Sequence, residues 1–146
     1  MNITLKNYEV LPAIDFLESM RLSARDSRPV MKFAEHLRGA LKSLGDSQMA
    51  LIEKYGEKDE NGELIMTEDE TDYLICPERQ KEYQAELVAF LQEEVVFTGG
   101  FFVKVMERLP AILSEYDEKI SGKQAVIYNR LLDEFEKEER EEHGDI

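Results

Sequence analysis

The chain has 146 residues, and 32 acids against 18 lysines and arginines give it a formal charge of −14. Two histidines, one cysteine and no tryptophan leave little raw material for metal, acid–base or nucleophilic chemistry. An acidic balance also opposes generic binding to nucleic acid or anionic lipid, where affinity comes from cations displacing counterions on phosphate.

The length predicts a single domain over residues 1–146, with an acidic C-terminal tail from about residue 136. Apolar residues recur at helical spacing, which argues against disorder. Residues 1–54 net +1, so the remainder nets −15. No run approaches the roughly 18 apolar residues of a membrane span. The start, MNITLKNYEV, shows no apolar signal region, and one cysteine makes no internal disulfide. These features predict a cytoplasmic protein.

Residues 2–5 read as a short strand. From Asn7 the pattern turns helical, with Val10, Ile14 and Leu17 on one face and Pro12 expected near the first turn, and the helix fades near Leu22. Ser27-Arg28-Pro29 reads as the next helix start, with Ser27 as cap. Phe33, Leu37, Ala40, Leu41, Leu44, Gln48, Leu51, Ile52 and Tyr55 then form one helical stripe, with Gly45-Asp46 the point at which it could break and a stop at Gly56.

Residues 57–73 hold eight acids and one base. Asn61-Gly62 predicts a type I′ hairpin turn, with short strands at Glu63–Thr67 and Tyr73–Cys76. Pro77 opens a further helix with Tyr83, Leu87, Phe90 and Leu91 inward. Residues 94–105 are β-branched and aromatic around Gly99-Gly100, and read as a strand or a tight hairpin turning at the glycines. Met106, Leu109, Leu113 and Tyr116 suggest a helix that accommodates Pro110. Ser121 and Gln124 form a capping box ahead of a helix with Ala125, Tyr128, Leu132 and Phe135 on its face, flanked by Ile127 and Leu131. The expected fold is mainly α: four or five helices with a small antiparallel hairpin or sheet.

The segment from Glu57 resembles a calcium loop. Gly62 takes the sixth position, with Glu57, Asp59 and Asn61 at the first, third and fifth and Glu68 at the twelfth. Glu57 stands where aspartate is usual, Ile65 takes a liganding position, and no apolar exit helix follows, so a solvated hairpin is the better reading. No metal and no cofactor are expected. Candidate partner-binding residues are the acids Glu57, Asp59, Glu60, Glu63, Glu68 and Asp69, and the basic concentration Arg21, Arg25 and Arg28. Charge runs are usually solvated faces, but an acidic surface is also steered toward basic partners. No nucleophile elbow, phosphate loop, dinucleotide fingerprint or zinc-protease motif occurs, so no catalytic residue is assigned.

Leu5-Lys6-Asn7, the run Phe16-Leu17-Glu18-Ser19-Met20-Arg21-Leu22, Ser27-Arg28, and the run from Leu51 to Gly62 together resemble the DUF1617 family of small proteins from tailed phages and prophages of low-GC Gram-positive bacteria. The resemblance spans residues 3–97 and carries no active site. It implies a phage setting, with a virion-associated or assembly role. The resulting expectation is a non-enzymatic accessory in the host bacterial cytoplasm or on the virion. It would bind a phage structural component, or form a homo-oligomer, without contacting nucleic acid or membrane directly. The alternative is an acidic, nucleic-acid-mimicking inhibitor of a host defence protein such as a CRISPR nuclease.

Overall fold

The structure, a computed structural model, describes residues 2–98 and 103–143. Its elements run β1 (Asn2–Lys6), α1 (Asn7–Ser19), α2 (Ala24–Tyr55), a single 3₁₀ turn (Pro77–Arg79), α3 (Gln80–Gln92), β2 (Glu94–Thr98), α4 (Val103–Glu115) and α5 (Gly122–His143). Mainly α with a minor sheet is therefore the observed class. The chain divides into two compact units, one built from 1–41 and 94–146 and the other from 42–93.

In the first unit β1 and β2 pair antiparallel, Ile3 opposite Phe97 and Leu5 opposite Val95. Alternation turns Ile3, Leu5 and Phe97 inward, where they are buried. Val10, Ala13, Ile14, Phe16 and Leu17 of α1 join them, with Val30, Phe33, Ala34 and Leu37 of α2, Leu109, Ile112 and Leu113 of α4, and Ile127, Leu131 and Phe135 of α5. Two aromatic clusters organise this core. Phe33 meets Phe97 and Phe135 edge-on at centroid distances of 6.5 and 5.8 Å. Phe16 lies 6.1 Å from Tyr116 and 5.6 Å from Tyr128. Such pairs add about 0.5–1.5 kcal/mol beyond area burial.

The helix boundaries differ from the sequence reading in instructive ways. α2 begins one turn early: Ser23, not Ser27, is the cap, its hydroxyl accepting the Asp26 amide at 3.2 Å. The Ser27 hydroxyl instead donates to the Ala24 carbonyl at 2.8 Å. Pro29 thus lies inside α2 and Pro12 inside α1. The acceptors they leave unfilled belong to Arg25 and Tyr8, both exposed residues where water can serve. α2 passes Gly45-Asp46 without a break. Its two ends serve different cores, Val30–Leu37 in the first unit and Ile52–Tyr55 in the second, while residues 42–48 between them bury no side chain. On α5 the buried positions are Ile127, Leu131, Glu134 and Phe135, so Phe135 of the expected face is inward, and the flanking Ile127 and Leu131 complete it in place of Ala125, Tyr128 and Leu132. The expected capping box is present: the Ser121 hydroxyl accepts the Gln124 amide at 3.2 Å, and the Gln124 side chain accepts the Ser121 amide at 3.0 Å. Strand character ends at Thr98, and Val103 to Val105 belong to α4 and not to a strand. The turn expected at Gly99-Gly100, with Phe101 and Phe102, lies outside the described residues.

Three charged side chains tie the N-terminus to α5. Arg130 donates to Glu9 at 3.0 Å, to Glu134 at 2.9 Å and to the Thr4 carbonyl at 2.9 Å. Glu134 also accepts the Thr4 amide at 3.1 Å, and Glu9 accepts the Lys6 amide at 2.8 Å at the start of α1. Burial by itself would lower the Arg130 pKa, but Glu134 and Glu9 outweigh it and raise the value, so the guanidinium stays charged. The side chains of Glu9 and Glu134 are only 10% and 6% exposed, so each needs its cation. Arg130→Ala is expected to lower unfolding stability by about 3 kcal/mol, read from the urea midpoint. A change below the scatter of surface substitutions would show the network to be dispensable.

Candidate protein-interaction surface

The second unit nets −9, with 14 acids and five bases in residues 42–93. Its core is Ile52, Tyr55 and Tyr83, with Leu64, Tyr73, Ile75 and Leu87 packed against them. Residues 56–76 form no regular strand. They meet in a three-way junction in which the Glu57 amide donates to the Leu74 carbonyl, Leu74 to Ile65, and Ile65 back to Glu57, at 2.9–3.0 Å. Three antiparallel arms leave this ring through the bridge pairs Gly56–Ile75, Lys58–Leu64 and Met66–Tyr73. The first arm leads to α2 and α3, and the other two end in acidic turns. The two short strands expected at Glu63–Thr67 and Tyr73–Cys76 are therefore present only as single bridge pairs. Gly56 sits at the mouth of the first arm, where a Cβ would lie 2.5 Å from Leu64 and 2.6 Å from the Ile52 carbonyl. Close approach, not positive φ, selects glycine there.

The turn at Asp59–Glu63 is a hairpin, but not type I′. Only Gly62 has positive φ, at 79°, and its amide donates to the Asp59 carbonyl at 3.0 Å. That is a type I turn followed by a left-handed glycine, the usual three-residue hairpin loop. The Asp59 carboxylate accepts the Asn61 and Glu63 amides at 2.8 and 3.0 Å, and so acts as the turn's internal cap. The Thr67–Asp72 turn repeats the design. The Glu70 amide donates to the Thr67 carbonyl at 2.9 Å, and Glu70 takes the left-handed position with φ 57°. Asp69 accepts both the Thr67 and Thr71 hydroxyls, at 2.6 and 2.8 Å. These hydroxyls, Thr67 first, hold its pKa below the ordinary carboxylate range.

The predicted acids thus sort by role. Asp59 and Asp69 build the turns. Glu60, Glu63 and Glu68 are exposed and make no side-chain hydrogen bond or ion pair among the described residues. Glu57 stands at the junction ring, half-buried. The arrangement is two hairpins and not the helix–loop–helix of a calcium site. Among the described residues no cluster of three or more acids, histidines or cysteines is placed to hold a metal.

The predicted basic group lies in the first unit. Arg21 is in the α1–α2 connection, its amide donating to the Tyr116 hydroxyl at 3.2 Å. Arg25 and Arg28 occupy the first two turns of α2, where cations oppose the helix dipole. Asp26 offsets Arg25 at 3.6 Å. Arg28 lines a shallow groove of about 240 Å³ with Met31, Lys32, Glu35 and Arg38.

One supporting cluster was not read from the sequence. Tyr55, 3% exposed, donates its hydroxyl to Glu86 at 2.7 Å, and Lys54 reaches the same oxygen at 3.0 Å. The Arg79 guanidinium lies 4.3 Å from the Tyr55 ring centre and donates to the Lys54 carbonyl at 3.1 Å, closing the α2 C-terminus. The only sequence signal was the basic residue following Pro77.

With this geometry in view, the chain belongs to the DUF1617 family, described as proteins of unknown function, whose model matches residues 1–142. The match extends well beyond the 3–97 of the sequence resemblance and takes in α4 and nearly all of α5. Neither the curated proteins nor the solved structures include a significant match.

Two outcomes are expected in this unit. Glu70 carries a left-handed backbone that glycine adopts freely, so Glu70→Gly should stabilise by about 0.5–1 kcal/mol in thermal melts; a lower Tm would refute the strain. The Tyr55 hydroxyl, then Lys54, hold the Glu86 pKa below the ordinary carboxylate range. Because folding lowers that pKa, the interaction helps folding above the ordinary value and is lost as pH falls through the folded one. Carboxyl-carbon NMR should find Glu86 titrating low, and Tyr55→Phe should move it upward.

Proposed function

We propose that this protein acts without catalysis, by binding another protein through the two acidic turns of residues 59–72, in a phage or prophage setting. The observation that carries the reading is the division of labour among the acids. Asp59 and Asp69 are spent holding the turns, while Glu60, Glu63 and Glu68 stand exposed with no cation paired to them among the described residues. Carboxylates presented on preformed turns suit a basic protein surface, since little ordering cost remains on binding. The family resemblance supports the setting and favours a virion-associated or assembly role in the host cytoplasm or on the particle. A basic nucleic-acid groove on a host defence protein is the second reading, which the same exposed carboxylates would also suit.

Affinity capture from prophage-induced cells tests the proposal, comparing the wild type with the triple reversal Glu60→Lys, Glu63→Lys, Glu68→Lys. The wild type should retain a basic-surfaced protein with affinity that falls steeply with salt. The reversal, with its circular dichroism unchanged, should weaken it at least about tenfold, or about 1.4 kcal/mol. Equal capture by both chains would sink the reading. Displacement of the captured protein by duplex DNA would select the inhibitor over the assembly accessory.

A further inference from the structure

The two outer edges of the β1–β2 sheet are treated differently. On β1, the Thr4 amide and carbonyl and the Lys6 amide are turned away from β2, toward Glu134, Arg130 and Glu9. Residues directly opposite in an antiparallel pair share one pairing type. Val96, opposite Thr4, and Glu94, opposite Lys6, must therefore turn their own amides and carbonyls away from β1, and Thr98 follows by alternation. No hydrogen bond to these outward groups is found among the described residues, all three side chains are exposed, and Val96 is 52% exposed. One edge is closed by a guanidinium and two carboxylates. The other carries a main chain with no partner among the described residues and an apolar side chain, which is how a strand presents itself for pairing.

We propose that this edge of β2 is where a second copy of the chain adds, antiparallel and two-fold symmetric about Val96, to make a four-stranded sheet in the order β1-β2-β2-β1. The strand Glu94-Val95-Val96-Phe97-Thr98 is self-complementary in that register. Val96 faces Val96 of the second copy as a hydrogen-bonded pair, exchanging two main-chain bonds, and the two exposed valines pack side by side. Glu94 falls opposite Thr98 of the second copy, so the carboxylates of two chains with charge −14 each stand at opposite ends of the contact. Each threonine hydroxyl then has a carboxylate to donate to. The contact is isologous and closes at two copies. It rests on residues other than the acidic turns and stands or falls apart from them.

The test is the mass of the full chain by light scattering across a concentration series, with hydrogen exchange at the Val96 amide. The wild type should move from 16.9 kDa toward twice that mass, with Val96 exchange slowing as dimer forms. Val96→Pro removes only an outward amide, which an edge strand tolerates. Val96→Lys sets like charges opposite each other. Both should stay monomeric with an unchanged circular dichroism spectrum. Val96→Cys in a Cys76→Ser background should oxidise to a covalent dimer, because opposed Cα atoms about 5.5 Å apart suit a disulfide. A wild type that stays monomeric overturns the proposal. So does a dimer that survives both substitutions, or Val96 exchange that ignores concentration.

Discussion

The first unit depends on the charge triad of Glu9, Arg130 and Glu134. The two carboxylates are nearly buried, and burial of either without a cation would cost several kcal/mol. One guanidinium serves both because its planar fork donates in three directions at once, to Glu9, to Glu134 and to the Thr4 carbonyl. The carboxylates in turn take up the Thr4 and Lys6 amides. Three side chains thereby do for the edge of β1 what a third strand would do, and they fix where α1 and α5 stand against the sheet. The apolar contacts around it are individually replaceable by residues of similar volume. The triad is not, because its partners are 121 and 4 residues from Arg130 and each has a directional requirement.

The second unit solves a different problem. A stretch so rich in carboxylates cannot fold around its own charge, so the apolar work is left to Ile52, Tyr55 and Tyr83 with their neighbours on the junction. The ring of three main-chain bonds among Glu57, Ile65 and Leu74 lets three short segments satisfy one another without a regular sheet and without a long open edge. Within the two turns, Asp59 and Asp69 serve as caps while Glu60, Glu63 and Glu68 are left to solvent. Lys54 and Arg79 are both drawn to the ring of Tyr55, and this holds two of the unit's five cations at its helical arm.

The contrast between the two sheet edges follows from the same economy of polar groups. Main-chain donors and acceptors demand partners wherever water is excluded. At β1 the protein supplies them from its own side chains. At β2 the exposed Val96 stands beside main-chain groups that no described residue takes up.

Much of this protein was legible from the sequence because it depends on local physics. Helical periodicity placed five helices, the Ser121–Gln124 spacing produced the capping box it implied, and Gly56 marked the end of α2. The stripe on α2 was correct at its two ends, Phe33–Leu37 and Ile52–Tyr55, but periodicity alone could not say that the turns between would be left exposed. The start of α2 was missed because Ser23 and Ser27 are equally good caps one turn apart, and tertiary packing chose between them. Asn-Gly announced a turn correctly, yet its type follows from Asp59, whose carboxylate takes two amides and favours the type I geometry. The Thr67, Asp69, Thr71 spacing carried a comparable signal for the second turn. The roles of Glu9, Arg130 and Glu134 were not readable at all. In sequence they are three charges among 50, and only the meeting of the chain's first strand with its last helix turns them from solvated groups into a buried network. Local preferences are written in neighbouring residues, whereas the pairing of distant charges exists only once the chain has closed on itself.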